Sequence, residues 1–411
     1  MPNSALQNRV VKTLSAAQIL SGVGVAGTVA AGSLLVSSIT DSETLAGLAQ
    51  TSAVLGAAAL ALPLARLTAC GGRRLALSVG YTAGAIGSLF AILGGSLSNI
   101  FLMLIGTFMV GAASAAGYQA RFAAIDLSTD QTRAKQLSFV VWGSTIGAVT
   151  GPNLMQPAGN LAENFGLPRL VGPYVISAVT LTLATVVIFL FLKPDPFLVA
   201  NKESVTQREK GATKKALTHI RNNPKALFAI LSIAIGHVAM VSVMVMTPVH
   251  MAHVDVTLTI IGLVISIHVL GMYAFSPIVG SLSDRFGRVR VIQIGIVTLL
   301  VSTIISGFSR ADDAYTLGLG LFLLGLGWSC TLIAGSALLS ESVEPEYKAS
   351  SQGASDLVMN LSGAGGGALA GVIIGTLSYG WLCFAAAIPV FALGVMSLKI
   401  KAMPAESSHK A

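Results

Sequence analysis

Residues 280–290 read Gly280-Ser281-Leu282-Ser283-Asp284-Arg285-Phe286-Gly287-Arg288-Val289-Arg290, a charged, glycine-punctuated stretch set between two long apolar runs, 257–281 and 291–309. Each run is close to the roughly 20 residues that a helix needs to cross a hydrocarbon core of about 30 Å. A short charged stretch between two such runs reads as a turn at the membrane surface, because unpaired backbone and charge are expelled from lipid. The glycines permit a tight reversal and close helix contact. Asp284 and the arginines can pair with charges on neighbouring helix ends.

The same pattern extends along the chain. Further apolar runs lie near 12–38, 44–67, 75–97, 99–121, 136–159, 170–192, 226–249, 315–340, 352–377 and 380–399, so twelve spans are expected. Composition agrees: 54% of residues are hydrophobic and 10% charged, with a mean hydropathy of +0.78, whereas soluble domains carry about 25% charged residues. A water-soluble fold is excluded. The 44 glycines suit helices whose backbones pack closely in lipid. The start, MPNSALQNRVVKTLSAAQ, has two basic residues but no short apolar core followed by a cleavage site, so the first run reads as a retained span.

Lysine and arginine set the orientation, since basic residues in short loops are held on the cytoplasmic side. With the N-terminus inside, 23 of the 25 fall on that side, and only Arg169 and Arg310 fall outside. A multi-pass protein of the cell membrane with both termini cytoplasmic is therefore expected. The formal net charge of +8 is accounted for by topology and by the lipid bilayer, and no nucleic-acid partner is implied. Cys70, Cys330 and Cys383 show no metal-ligand spacing and are expected as free thiols.

One long polar stretch, KPDPFLVANKESVTQREKGATKKALTHIRNNPK, separates the sixth and seventh runs. It divides the chain into an N-terminal six-helix bundle, 1–193, a cytoplasmic linker, 194–224, and a C-terminal six-helix bundle, 225–411. The halves repeat each other, as in transporters built from structural repeats. Asp126, Arg133, Gln136, Gly147 and Gly151 recur in order as Glu341, Lys348, Gln352, Gly363 and Gly367, offset by 215 residues for the acids and bases and 216 from Gln onward.

The 280–290 stretch resembles the G-x-L-x-D-R-x-G-R loop signature of the major facilitator superfamily, carried here by Gly280, Asp284, Arg285, Gly287 and Arg288. The acid-x6-base pairs Asp126/Arg133 and Glu341/Lys348 resemble a second feature of that family. The resemblance implies an all-α membrane protein of twelve transmembrane helices in two pseudo-symmetric six-helix bundles. It also implies a cytoplasmic charge network that forms when the transporter opens outward and breaks when it opens inward; the plain alternative is that these charges anchor helix ends. The equivalent first-half turn, Ala69-Cys70-Gly71-Gly72-Arg73-Arg74, lacks the Asp-Arg pair, so that half must be held differently. The run Gly143-x3-Gly147-x3-Gly151-Pro152 resembles a signature of the exporter branches, although ordinary close helix packing also accounts for it. Where the family's proton-coupled drug exporters carry an arginine before Gly111, this chain has Thr107.

Ionisable groups inside a span are costly and mark functional sites. Asp356, with Gln352 and Asn360 on one helical face, is the first candidate for a coupling ion, the alternative being that it joins the charge network; His237 and His268 follow. Gln18, Gln50, Tyr118, Gln119, Trp142, Tyr273, Trp328 and Asn360 are candidates for lining a cavity suited to a flat, partly polar organic solute. Met240, Met244, Met246, His250, Met251 and His253 include soft-metal ligand types, but methionine is also common core filler, and no metal site is expected. Neither nucleotide-binding nor catalytic motifs occur, so no cofactor and no enzyme activity are expected.

The reading is a monomeric secondary transporter that exports a small amphipathic compound, a drug or metabolite, by alternating access coupled to a proton or other cation. The alternative is uptake of a nutrient such as a vitamin or sugar. A metal transporter and a non-transporting membrane sensor are the remaining classes.

Overall fold

The computed structural model describes residues 4–41, 45, 47–201, 218, 220–252 and 258–401. Its crossings are α1 (Ser4–Thr40), α2 and α3 (48–71 and 73–96), α4 (Ile100–Ala123), α5 (Arg133–Asn153, continued by Met155–Asn164) and α6 (Gly172–Phe191) in the first half. The second half holds α7 (Pro224–Ala252), α8 (Leu258–Tyr273, continued by Ser276–Phe286), α9 (Arg288–Phe308), α10 (Ala314–Ser342), α11 (Lys348–Thr376) and α12 (Tyr379–Lys401). α2 and α3 come from one helical stretch, Leu48–Ser96, broken at Gly72, whose φ of 84° and ψ of 176° no helix admits. Ten helices among the described residues are long and apolar enough to span a membrane; the break at Gly72 and the two-piece α5 bring the crossings to twelve.

Helices are the outcome because, in lipid, each backbone polar group must find its partner within its own segment. Side chains such as Phe101, Phe308, Trp381 and Leu398 face outward and exposed, which suits an acyl-chain environment. Between helices, small residues set the spacing. Gly143 lies against the Ser15 carbonyl, and Gly147 meets the backbone of Gly22, so that α5 and α1 cross almost in contact. Gly363 and Gly367 of α11 instead face side chains of α7, those of His237 and Val241. The exporter-like glycine run thus serves a close helix crossing. Of Pro152 only the backbone is described.

Within the first bundle α1 packs on α5 and α6, and α2 and α3 both pack on α4; within the second α7 packs on α10 and α11, and α9 on α10 and α12. The bundles meet where α2 lies along α11 and α5 along α8, pairs that correspond under the repeat. The second core continues into the first bundle through Phe122, Leu137 and Val141.

The fifth span differs from the expected unbroken 136–159, since its helix is interrupted at Leu154, just after Gly151-Pro152. Most of the stretch expected as a linker, and His253 of the Met/His run, lie outside the described residues. Residues 194–200 do not hang free. Asp195 accepts hydrogen bonds from the N–H groups of Phe197 and Leu198, starting a one-turn helix Pro196–Ala200, and a third from Arg74 at 2.7 Å. That third bond caps the helix that restarts after Gly72. A Cβ at Gly72 would overlap the Asp195 carboxylate.

Candidate functional site

The bundles are joined at one end by three layers of polar contact, at the end that carries the 280–290 turn. In the outermost, Glu341 of α10 accepts from Arg288 at 2.7 Å and lies 3.4 Å from Arg133 of the other bundle. Arg288 also pairs with Asp284 at 3.1 Å and donates to the Asp130 carbonyl. Asp284 accepts the N–H groups of Ala134 and Lys135 at 3.0 and 2.8 Å, so a carboxylate of one bundle caps the first turn of a helix in the other. Gly280 lies directly against Ser138 and the Ala134 carbonyl.

The second layer centres on Arg73, which is fully buried. It grips Asp126 with two bonds, at 2.8 and 3.1 Å, and donates across the bundle interface to Gln352 at 2.6 Å. Gln352 in turn donates to Ser340. The third layer is Arg121 of α4 with Asp356 of α11, 2.6 Å apart with side-chain exposures of 2% and 0%. Arg121 also donates to Ser336 at 3.1 Å. Asp356 Oδ2 and Arg121 Nη1 are buried with no hydrogen-bond partner among the described residues.

These contacts assign the partners within the charge network. Asp126 pairs with Arg73, and Glu341 pairs with Arg133 and Arg288. Lys348 makes no ion pair within 4.0 Å among the described residues, and Arg285 is exposed beside the ring of Phe286. The acid-x6-base spacing puts both charges of a pair at one membrane face without making them partners. The sequence motifs single out neither Arg73 nor Arg121 as a functional residue. The offset itself held the signal: Gly72-Arg73 lies 215 residues before Gly287-Arg288, and both glycines have positive φ, 84° and 94°.

Above the third layer two clefts share Val25, Ser114 and Tyr118. One is lined by Thr28, Gln50, Thr107, Tyr174 and Asn360, the other by Gln18, Ser21, Ser144 and Tyr273. Their lining residues include amides, hydroxyls and aromatic rings and no formally charged side chain. Thr107, which stands where the family's drug exporters carry an arginine, forms part of the wall. Tyr118 stands over Arg121 at 5.7 Å. Asn360 donates to the Asp356 carbonyl one turn away, so the buried ion pair lies just under the floor.

Three cavity candidates, Gln119, Trp142 and Trp328, line neither cleft. Gln119 is buried and donates to the Ala61 carbonyl, tying α4 to α2. Trp142 is 39% exposed on α5 and lines neither cleft. His268 is buried with Nδ1 2.8 Å from the Leu321 carbonyl, a contact between α8 and α10. His237 accepts from Trp328 at 3.1 Å, and Trp328 meets Tyr273 edge-on. Among the described residues no cluster of histidine, cysteine and carboxylate could hold a metal ion.

Twelve helices in two related bundles, closed at one end around a neutral cavity, define the architecture of a secondary transporter. The family model of the Major Facilitator Superfamily matches residues 14–255 and 235–411, and the chain belongs to that family. It is 36% identical to the MFS-type transporter YdeG of Bacillus subtilis over 91% of this chain and 88% of the relative. It is 26% identical to the riboflavin transporter RfnT of Brucella anthropi over 100% of both, and 25% identical to a PmrA-like multidrug efflux pump of Lactococcus lactis over 59% of this chain and 56% of the relative. Among solved structures, the human organic anion transporter MFSD10 superposes with a TM-score of 0.75 at 14% identity, covering 95% of this chain and 99% of that one. The chain is a multi-pass membrane transporter and not an enzyme.

Proposed function

We propose that this transporter exports a flat, uncharged, partly polar organic compound, coupled to protons through Asp356. The two bundles, 1–193 and 225–411, rock about the shared cavity, and the three polar layers form the gate at the cytoplasmic end. The observation that carries the reading is the buried Asp356–Arg121 pair, which joins the bundles directly beneath the cavity. A proton on Asp356 removes the charge that Arg121 needs, and the pair that holds the bundles together is lost. Proton occupancy and gate opening thereby become one equilibrium, as alternating access requires. The neutral lining supports an uncharged solute, and the exporter-like Gly143–Pro152 run supports the outward direction.

A second reading, uptake of a vitamin, is favoured by the end-to-end match to a riboflavin transporter. Transport of riboflavin, dyes and antibiotics in inverted and right-side-out vesicles under an imposed pH gradient separates the two. Gradient-driven accumulation in inverted vesicles, abolished in Asp356→Asn, is expected for export. Accumulation confined to right-side-out vesicles would replace export by uptake, and gradient-driven transport by Asp356→Asn would remove the carboxylate from coupling.

A further inference from the structure

His237 and Trp328 take no part in the three charge layers, and their contact has a chemical consequence. The indole Nε1–H of Trp328 on α10 donates to Nδ1 of His237 on α7. An indole nitrogen can only donate, so Nδ1 is the bare nitrogen and the neutral ring carries its proton on Nε2. An imidazolium would turn Nδ1 into a second donor facing the indole. The contact therefore fits the neutral ring and argues against His237 as a carrier of positive charge.

Nε2 has no hydrogen-bond partner among the described residues, and it is not one of the fully buried unpartnered atoms. The ring is half-buried. Its Cδ2–Nε2 edge lies against Gly363 of α11, where an added Cβ would stand 2.6 and 2.8 Å from those two atoms. Gly363 follows Asn360, a cleft residue, by one helical turn. On its other side Trp328 meets Tyr273 at 5.6 Å and 86°, and Tyr273 shares the second cleft with Tyr118. An unspent N–H donor thus stands next to Gly363, one helical turn from the cleft residue Asn360, and beside the Trp328–Tyr273 ring pair, while His237 and Trp328 themselves line neither cleft.

We infer that His237, fixed in its Nε2–H form by Trp328, orients the transported compound by donating to a carbonyl or ring-nitrogen acceptor on a flat heteroaromatic system held against Tyr118 and Tyr273. The inference rests on the proposed transport function and adds the chemistry of the solute. Aromatic faces hold flat rings without regard to their edge substituents, whereas a lone donor discriminates, because a compound lacking the acceptor leaves it unpaired. His237 is thereby a specificity residue, and Trp328 acts through it.

Riboflavin, the compound named for a full-length relative, is the probe. Wild-type protein labelled with 15N-histidine in nanodiscs is expected to show one ring with bare Nδ1 and protonated Nε2. That signal vanishes in His237→Gln, loses its tautomer preference in Trp328→Phe, and moves when riboflavin is added. The riboflavin Kd is expected to rise about tenfold in His237→Phe, the loss of one paired donor, and to recover to within about threefold of wild type in His237→Gln, which keeps a neutral donor. A protonated Nδ1, or unchanged affinity in His237→Phe, overturns the inference and leaves the transport reading standing. Failure of wild-type protein to bind or transport riboflavin or any other member of the vesicle panel overturns that reading, and the inference with it.

Discussion

Replacing Asp356 by asparagine leaves the Arg121 guanidinium charged at a site where its side chain is 2% exposed. Removing one partner of a buried pair costs about 3–5 kcal/mol, because the remaining charge has neither water nor a counter-ion. That penalty falls on the closed gate alone, since separating the bundles hydrates Arg121. With 1.4 kcal/mol to a factor of ten, the closed:open ratio falls by roughly 10² to 10³·⁵. A gate held 99:1 closed would become roughly evenly populated at the lower figure and clearly reversed at the upper. Spin labels at the exposed positions Gln131 and Glu344, one in each bundle, read this out by pulsed dipolar spectroscopy once Cys70, Cys330 and Cys383 have been replaced. Wild type is expected to show one short distance and Asp356→Asn a second, longer one. Arg121→Leu with Asp356→Leu buries no charge and should move back toward the short distance. A single-mutant distribution identical to wild type would refute the argument.

Glu341→Gln removes one of the carboxylates that Arg133 and Arg288 share in the outermost layer, where the Glu341 side chain is 25% exposed; the loss should be about 1 kcal/mol, seen as a longer label distance that high salt also produces in wild type. Gly72→Ala should destabilise by about 1–3 kcal/mol, because the backbone there is open only to glycine and the added methyl meets Asp195. Gly287→Ala, with a φ of 94° and no atom within 4 Å of the added carbon, should lower the melting temperature in detergent less. At the opposite end of the bundle Asp313 caps α10, and the hydrogen bond from the Thr316 hydroxyl holds its carboxyl below the usual range. Its stabilising effect is therefore present above the ordinary carboxylate range and fades as pH falls through it. The melting temperature of Asp313→Asn should lie below wild type at pH 7 and converge on it in strong acid.

Twelve spans, the 280–290 turn and the repeat were legible because lipid imposes length and polarity on every crossing, and because Gly287 does its work locally, in the turn it shapes. The partnerships were not. Arg133 carries the same spacing to Asp126 as Lys348 does to Glu341, yet only the packing of α5 on α8 shows that Arg133 reaches Glu341. Arg121 looks like a helix-end charge until α11 places Asp356 beside it. Gln119 and Gln18 are alike in type, but one is spent on a neighbouring backbone and the other faces the cleft. Cavity lining is a property of which face a helix turns inward, and a span that is apolar all round hides that face in its sequence.

The carboxylate of Asp195 receives three backbone N–H groups from two helices, one of them the segment that restarts after Gly72. The strand leaving the first bundle is thus fastened to it for seven residues, through Ala200, before it departs toward the second. A version of this protein produced as two co-expressed chains should accordingly be divided after that point. A cut at 193 would give the wrong fragment the piece that closes the α2–α3 turn, and Arg73 would lose the phenyl ring of Phe197 that lies 5.5 Å beneath it.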